Sequence, residues 1–203
     1  MIKENKFMKK LSQALTKASM AVCLAASVTS MAASNQAHIG FTNTSGSTYV
    51  NSTLYTTGGT GTDIGTDIAI SNQLGLMLGY RTATANSSSN INYTDIGMRY
   101  RLDSATSTYF SANKTSVSNN SETLFMLGAI HHMSLGGTSD LILKAGTSTS
   151  NLWDDLEFGV DFSLPVMDVL ILNLGYSSKV TSLGKTSTKA TSSGFSVSIN
   201  SRF

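Results

Sequence analysis

Gly194-Phe-Ser-Val-Ser-Ile-Asn-Ser-Arg-Phe203 alternates apolar and polar residues from Phe195 to Asn200 and returns to an aromatic at Phe203. In an extended chain successive side chains point to opposite faces, so Phe195, Val197, Ile199 and Phe203 share one face and Ser196, Ser198, Asn200 and Arg202 the other. A strand with an apolar face and an aromatic carboxy terminus suits a soluble sheet badly, because a bare apolar edge invites aggregation and a free terminus frays. It needs an apolar solvent on one side and a neighbouring strand on each edge.

The same alternation runs upstream. Leu74, Leu76, Leu78 and Tyr80 oppose Gly75, Gly79 and Arg81, and Ile96, Met98, Tyr100 and Leu102 oppose Asp95, Gly97, Arg99 and Arg101. Segments at 107–117, 122–133 and 139–148 follow, then 155–164, 169–179 and 194–203. Apolar-out, polar-in segments of about ten residues separated by turn formers are the pattern of a transmembrane β-barrel. The fold class expected is therefore all-β, a single closed antiparallel transmembrane barrel over residues 34–203. Asp103-Ser-Ala-Thr106, Ser134 to Thr138 and Pro165-Val-Met-Asp168 read as tight turns on the rim where the chain ends. The other rim carries 86–90, 118–121, 149–154 and the longer 180–193, with Lys179, Lys185 and Lys189 assigned to that last connector.

Residues 34–66 alternate poorly. A hairpin of 36–45 and 48–57 fits them and keeps the strand count even. Ten strands is the favoured count, and eight with a loose amino-terminal arm the alternative.

Lys3, Lys6, Lys9, Lys10 and Lys17 precede the apolar run from Ala18 to Val28, and Ser30-Met-Ala-Ala33 follows it. Residues 1–33 have the order of a secretory signal peptide, with cleavage expected after Ala32 or Ala33. Met8 is a second acceptable start. Cys23, the only cysteine, sits in this leader, and Met20 and Val22 are not the neighbours of an acylated lipoprotein cysteine. The mature chain then has no disulfide, and its stability must come from a closed hydrogen-bonded sheet. Without the leader's five Lys and one Glu, the charges of the rest nearly balance, which gives no reason to expect nucleic acid as a partner.

The leader, the alternating segments and terminal Phe203 together resemble the small outer-membrane barrels of Gram-negative bacteria, the OmpX-like and OmpA-barrel-like porin family. The resemblance implies residence in the outer membrane and insertion by the barrel-assembly machinery, with Phe195, Val197, Ile199 and Phe203 as the assembly signal. It also implies contact with outer-membrane lipid and lipopolysaccharide. No peptidoglycan-binding domain is expected after the barrel. Tyr80, Tyr100 and Tyr176 would form an aromatic girdle at the membrane interfaces. Trp153 would sit at the outer interface for the same reason.

The chemistry that remains lies on the inward face. Arg81, Asp95, Arg99, Arg101, Lys144, Glu157, Asp161 and Arg202 all fall on polar faces. Pairing Ser148 with Asp155 would put Lys144 opposite Gly159, flanked by Glu157 and Asp161, and closing the 86–90 loop can bring Arg81 opposite Asp95. Charges inside a narrow barrel are costly unless paired, so a filled, salt-bridged lumen is the expectation and a narrow channel for ions or small solutes the alternative. His131 and His132 are adjacent on a strand and cannot converge on one metal ion. His38 lies in the poorly patterned region. No metal, cofactor or catalytic residue is assigned, and a lipid hydrolase is the third and least supported reading.

Overall fold

The computed structural model describes residues 35–50, 53–85, 89–136, 139–150, 153–183 and 189–203. The leader, its cut after Ala32 or Ala33, and Lys185 lie outside them. Ten antiparallel strands close into one barrel, each paired with its sequence neighbours. In chain order they are β1 (Gln36–Val50), β2 (Thr53–Ala69), β3 (Leu74–Ala85), β4 (Ser89–Arg101) and β5 (Thr106–Val117). Then follow β6 (Asn120–Ser134), β7 (Asp140–Thr149), β8 (Trp153–Met167), β9 (Leu170–Leu183) and β10 (Lys189–Arg202). The even count and the complete ladder leave no edge, which is what a sheet in lipid requires.

The ends of the ladder meet where the sequence was least periodic. β10 pairs with β1 from Gln36 opposite Arg202 to Gly46 opposite Ser192. The β1–β2 hairpin runs past the expected boundaries: the strands continue through Gly46 and Ser47, and the turn follows Val50. Gly46 has φ 143°, and a Cβ there would run into Ser192 on β10, so a glycine that reads as a turn former is a strand residue at a close approach. β2 has an irregularity between Thr57 and Thr62, where its register against β3 shifts.

Two more boundaries move for local reasons. Pro165 belongs to β8, opposite Ile171, at an irregularity before Met167, so the reversal falls after it. Proline offers no N–H to the ladder and is tolerated at a bulge. β9 and β10 extend far into the expected 180–193 connector, which makes Lys179 a strand residue and Lys189 the first residue of β10.

Outward side chains make an apolar belt. Ile96, Phe110, Leu127, Phe158, Phe195 and Ile199 are all more than half exposed, from 51 % for Ile199 to 68 % for Phe195. Exposure on that scale is stable against hydrocarbon and not against water. Most strands exceed the 9–11 residues or so that cross a bilayer. Toward the rim that carries the β3–β4 and β5–β6 connections, the outward positions change to Thr84, Asn92, Lys114 and Thr123. The opposite rim holds the two described chain ends, Asn35 and Phe203.

The best-buried side chains are inside the barrel. Val50, Ala83, Ile91, Tyr93 and Val117 form one cluster, with Tyr55 packed against it. They fill the lumen beneath the long-strand rim on the side of β1 to β5. Asn120 Nδ2 donates to the Tyr55 hydroxyl at 3.2 Å, tying the β5–β6 end to this plug.

Candidate functional site

The site worth examining is the lumen below that plug. Its charged residues reach it by parity: odd-numbered positions of β2, β3, β4 and β8 point inward, as do even-numbered positions of β1, β6, β7 and β10. The β7–β8 ladder sets Ser148 opposite Asp155 and Lys144 opposite Gly159. Of the two carboxylates that flank it, Lys144 binds Asp161.

The register of β3 against β4 differs from the one expected. Arg81 faces Tyr93, and Asp95 faces Gly79. The cause is a shorter connection than the Asn/Ser-rich sequence suggests, because Ser89 and Asn90 already belong to β4 and pair with Ala85 and Thr84. The Arg81 guanidinium therefore stands 4.3 Å from the centre of the Tyr93 ring. Asp95 instead accepts a hydrogen bond from Asn113 Nδ2.

Two further ion pairs and a His–Asp contact lie in the interior. Arg99 binds Asp67 at 2.7 Å, Lys179 binds Asp155 at 3.3 Å, and His38 Nε2 lies 2.7 Å from Asp63 Oδ1. Arg101 and Arg202 are on the inward parity but exposed, at the mouth by the chain ends, and Arg101 lines a small cleft there with Arg99. Lys179 is not a loop cation: it continues the inward series Gly175, Ser177, Lys179, Thr181. Sequence reasoning missed His38, Asp63, Asp67, Asp155 and Lys179 as lumen residues. Their signal was parity alone, and for Asp63 and Lys179 it was weakened by outward Ser and Thr.

The pairs leave space between them. One cavity of about 370 Å³ runs from Gln36, Asp67 and Asn200 near the chain-end mouth up to Arg81, Tyr93, Glu157 and Lys179. A second, of about 50 Å³, lies beyond and is lined by Thr44, Ser177, Ser192 and the same four residues. Arg81, Tyr93, Glu157 and Lys179, with Thr48, thus border both cavities and stand as a partition between them. Tyr109 lines the larger cavity, and its phenol end lies over Gly128 and Gly146, in the space a Cβ on either would need.

In architecture the chain is similar to small outer-membrane β-barrels. Neisserial surface protein A matches over 83 % of this chain and 97 % of its own, at 16 % identity and a TM-score of 0.41. The KdgM porin in complex with disordered oligogalacturonate matches over 84 % of this chain and 98 % of its own, at 9 % identity and a TM-score of 0.43. Ail, the attachment invasion locus protein of Yersinia pestis, matches over 85 % of this chain and all of its own, at 11 % identity and a TM-score of 0.36. At such identities the likeness is one of fold. No protein-family model matches the sequence, and no curated protein does.

The predicted tyrosines and the apolar residues of β10 lie on the outward face. Tyr80 and Tyr176 hold equivalent places in β3 and β9, where the Tyr80 hydroxyl donates to Asn92 Oδ1 at 3.1 Å and the Tyr176 ring packs on Phe195 at 5.0 Å. Tyr100 is nearer the other rim, 3.5 Å from Gln73 Oε1. Phe195, Val197 and Ile199 continue the apolar belt, and Trp153 opens β8. His131 and His132 point to opposite sides of β6, and His131 Nδ1 is 3.0 Å from the Thr106 hydroxyl.

Proposed function

We propose that the protein is a non-enzymatic outer-membrane barrel with a structural or surface-interaction role, its lumen closed to free passage by its own side chains. The partition of Arg81, Tyr93, Glu157 and Lys179 supports this reading most directly, since it borders both cavities. Charges placed in so narrow a space are stable because they are paired, and pairing fixes them across the path a solute would take. The plug of Val50, Ile91 and Val117 closes the side of β1 to β5 in the same layer of the barrel.

The alternating face of β10 and Phe203 serve, in this reading, as the signal for the barrel-assembly machinery once the leader is removed. The polar outer ends of the strands, with Lys114 and Lys189, would face lipopolysaccharide. Catalysis is disfavoured because the His38–Asp63 pair faces the lumen whereas the Thr106 hydroxyl meets His131 on the outward face, so the two contacts do not combine into one site.

A narrow channel is the second reading, and the 370 Å³ cavity favours it, since only side chains separate that space from the far rim. Swelling of liposomes in arabinose distinguishes the two. A closed lumen gives swelling no faster than protein-free liposomes, and faster swelling with the wild-type protein supports the channel.

A further inference from the structure

Below the plug, β6 presents a run of apolar side chains to the lumen. Leu124, Met126, Gly128 and Ile130 face the lumen while Phe125 and Leu127 face lipid, so this strand is apolar on both sides. An apolar wall bordering a cavity of about 370 Å³ is a cost in a water-filled lumen, and the cavity is within the size range of small-molecule sites.

Charge complementarity says what would cover that wall. The lumen holds the carboxylates of Asp63, Asp67, Asp95, Asp155, Glu157 and Asp161. Four of them are bound to His38, Arg99, Lys179 and Lys144. Asp95 and Glu157 have no cation within salt-bridge distance among the described residues, and both line the cavity. Arg81, placed over Tyr93, also faces Glu157, Asp63 and Asp95 at longer range, so the six carboxylates stand against Arg81, Arg99, Lys144, Lys179 and His38, with Arg101 and Arg202 exposed at the mouth. The cavity therefore carries an excess of negative charge. Asp95 on β4 and Glu157 on β8 flank the β6 wall, two strands away on either side.

We propose that this cavity binds a small organic amine, its ammonium held between Asp95 and Glu157 and its hydrocarbon body laid on Leu124, Met126 and Ile130. Tyr109, turned over Gly128 and Gly146, adds an aromatic surface beside the cation. The ligand enters from the chain-end mouth, where Gln36, Asp67 and Asn200 line the same cavity, so binding does not require passage through the partition. An anionic ligand is opposed, because Lys144 and Lys179 are already engaged by Asp161 and Asp155.

Calorimetric titration of the folded barrel in octyl glucoside, a neutral detergent, tests this with three related ligands at pH 7. Phenethylamine binds one to one and at least about tenfold more tightly than 2-phenylethanol or phenylacetate. Glu157→Gln, alone or with Asp95→Asn, weakens phenethylamine about tenfold and leaves 2-phenylethanol unchanged. The ligand comparison on the unmodified protein keeps the test valid if a variant fails to fold. No phenethylamine binding, equal affinity for the neutral and cationic ligands, or an unchanged affinity in a folded Glu157→Gln variant overturns the proposal.

Discussion

The backbone N–H of Phe203 donates to the carbonyl of Asn35 at 3.1 Å. Asn35 in turn accepts the N–H of Ala69 through its side chain at 2.9 Å, so the last residue of the chain, the residue before β1 and the end of β2 are joined at one rim. Closure against β1 selects ten strands over eight.

A disulfide reports on that closure, since residues 34–203 contain no cysteine. Gln36→Cys with Arg202→Cys, directly opposed in the β1–β10 ladder, is expected to oxidise to a single cross-linked monomer in the folded barrel. Gel mobility under non-reducing conditions reads the result. A pair that stays reduced in folded protein would mean that β10 closes elsewhere.

The Lys179–Asp155 pair sets a stability prediction. Asp155 is 3 % exposed and accepts from both Lys179 and the Ser148 hydroxyl, the latter at 3.1 Å. Asp155→Ala removes one partner and strands a buried cation, a change that costs about 3–5 kcal/mol. Lys179→Met combined with Asp155→Leu recovers most of the loss, because an apolar pair needs no compensation. Urea unfolding of the barrel in liposomes measures both variants. A loss below about 1 kcal/mol for Asp155→Ala, the level of an exposed pair, would place Lys179 outside the lumen.

Depth in the membrane makes a third prediction. Phe158 is 54 % exposed in the middle of β8, and Phe158→Arg there costs about 2–4 kcal/mol. The same change at Thr84, on the outward face near the long-strand rim, is expected to cost about 0–1 kcal/mol. Equal costs at the two sites in urea unfolding would mean that the exposed apolar belt does not lie in lipid.

A pH dependence arises at the chain-end rim, outside the membrane. The Asp103 carboxylate accepts the N–H groups of Ala105 and Thr106, each at 2.7 Å, and these bonds hold its pKa below the usual 3.8. A depressed folded value means the carboxylate supports the turn at neutral pH and loses that support as pH falls below 3.8 through its lowered value. Wild type and Asp103→Ala should thus differ in stability at neutral pH and converge in acid. A gap that persists unchanged at the lowest pH would show that the charge is not what matters.

The barrel from Leu74 onward was legible because lipid imposes a strict period of two: Leu74-Gly-Leu-Met-Leu-Gly-Tyr80 can satisfy hydrocarbon on one side only as a strand. That rule stops where the strands leave the membrane. Beyond it Ser177-Ser-Lys-Val-Thr-Ser182 has no apolar side to count, so Lys179 read as a loop cation although the ladder carries it into the lumen. β1 and β2 were obscured for a related reason, since Gly40, Gly46, Gly61 and Gly65 replace bulky residues where strands and side chains approach closely. Loop length was the other missing quantity. Asn86-Ser-Ser-Ser-Asn90 does not announce that Ser89 already pairs with Ala85, and that shift moved Arg81 from Asp95 to Tyr93. Lys144 and Asp161 were legible because Ser148 and Asp155 fixed their register correctly.

Single-channel recording in planar bilayers tests the closed lumen most directly. The wild-type barrel should show no steady conductance steps, whereas Arg81→Ala combined with Tyr93→Ala, which joins the two cavities, should produce them. Well-defined steps from the wild-type protein would contradict the account.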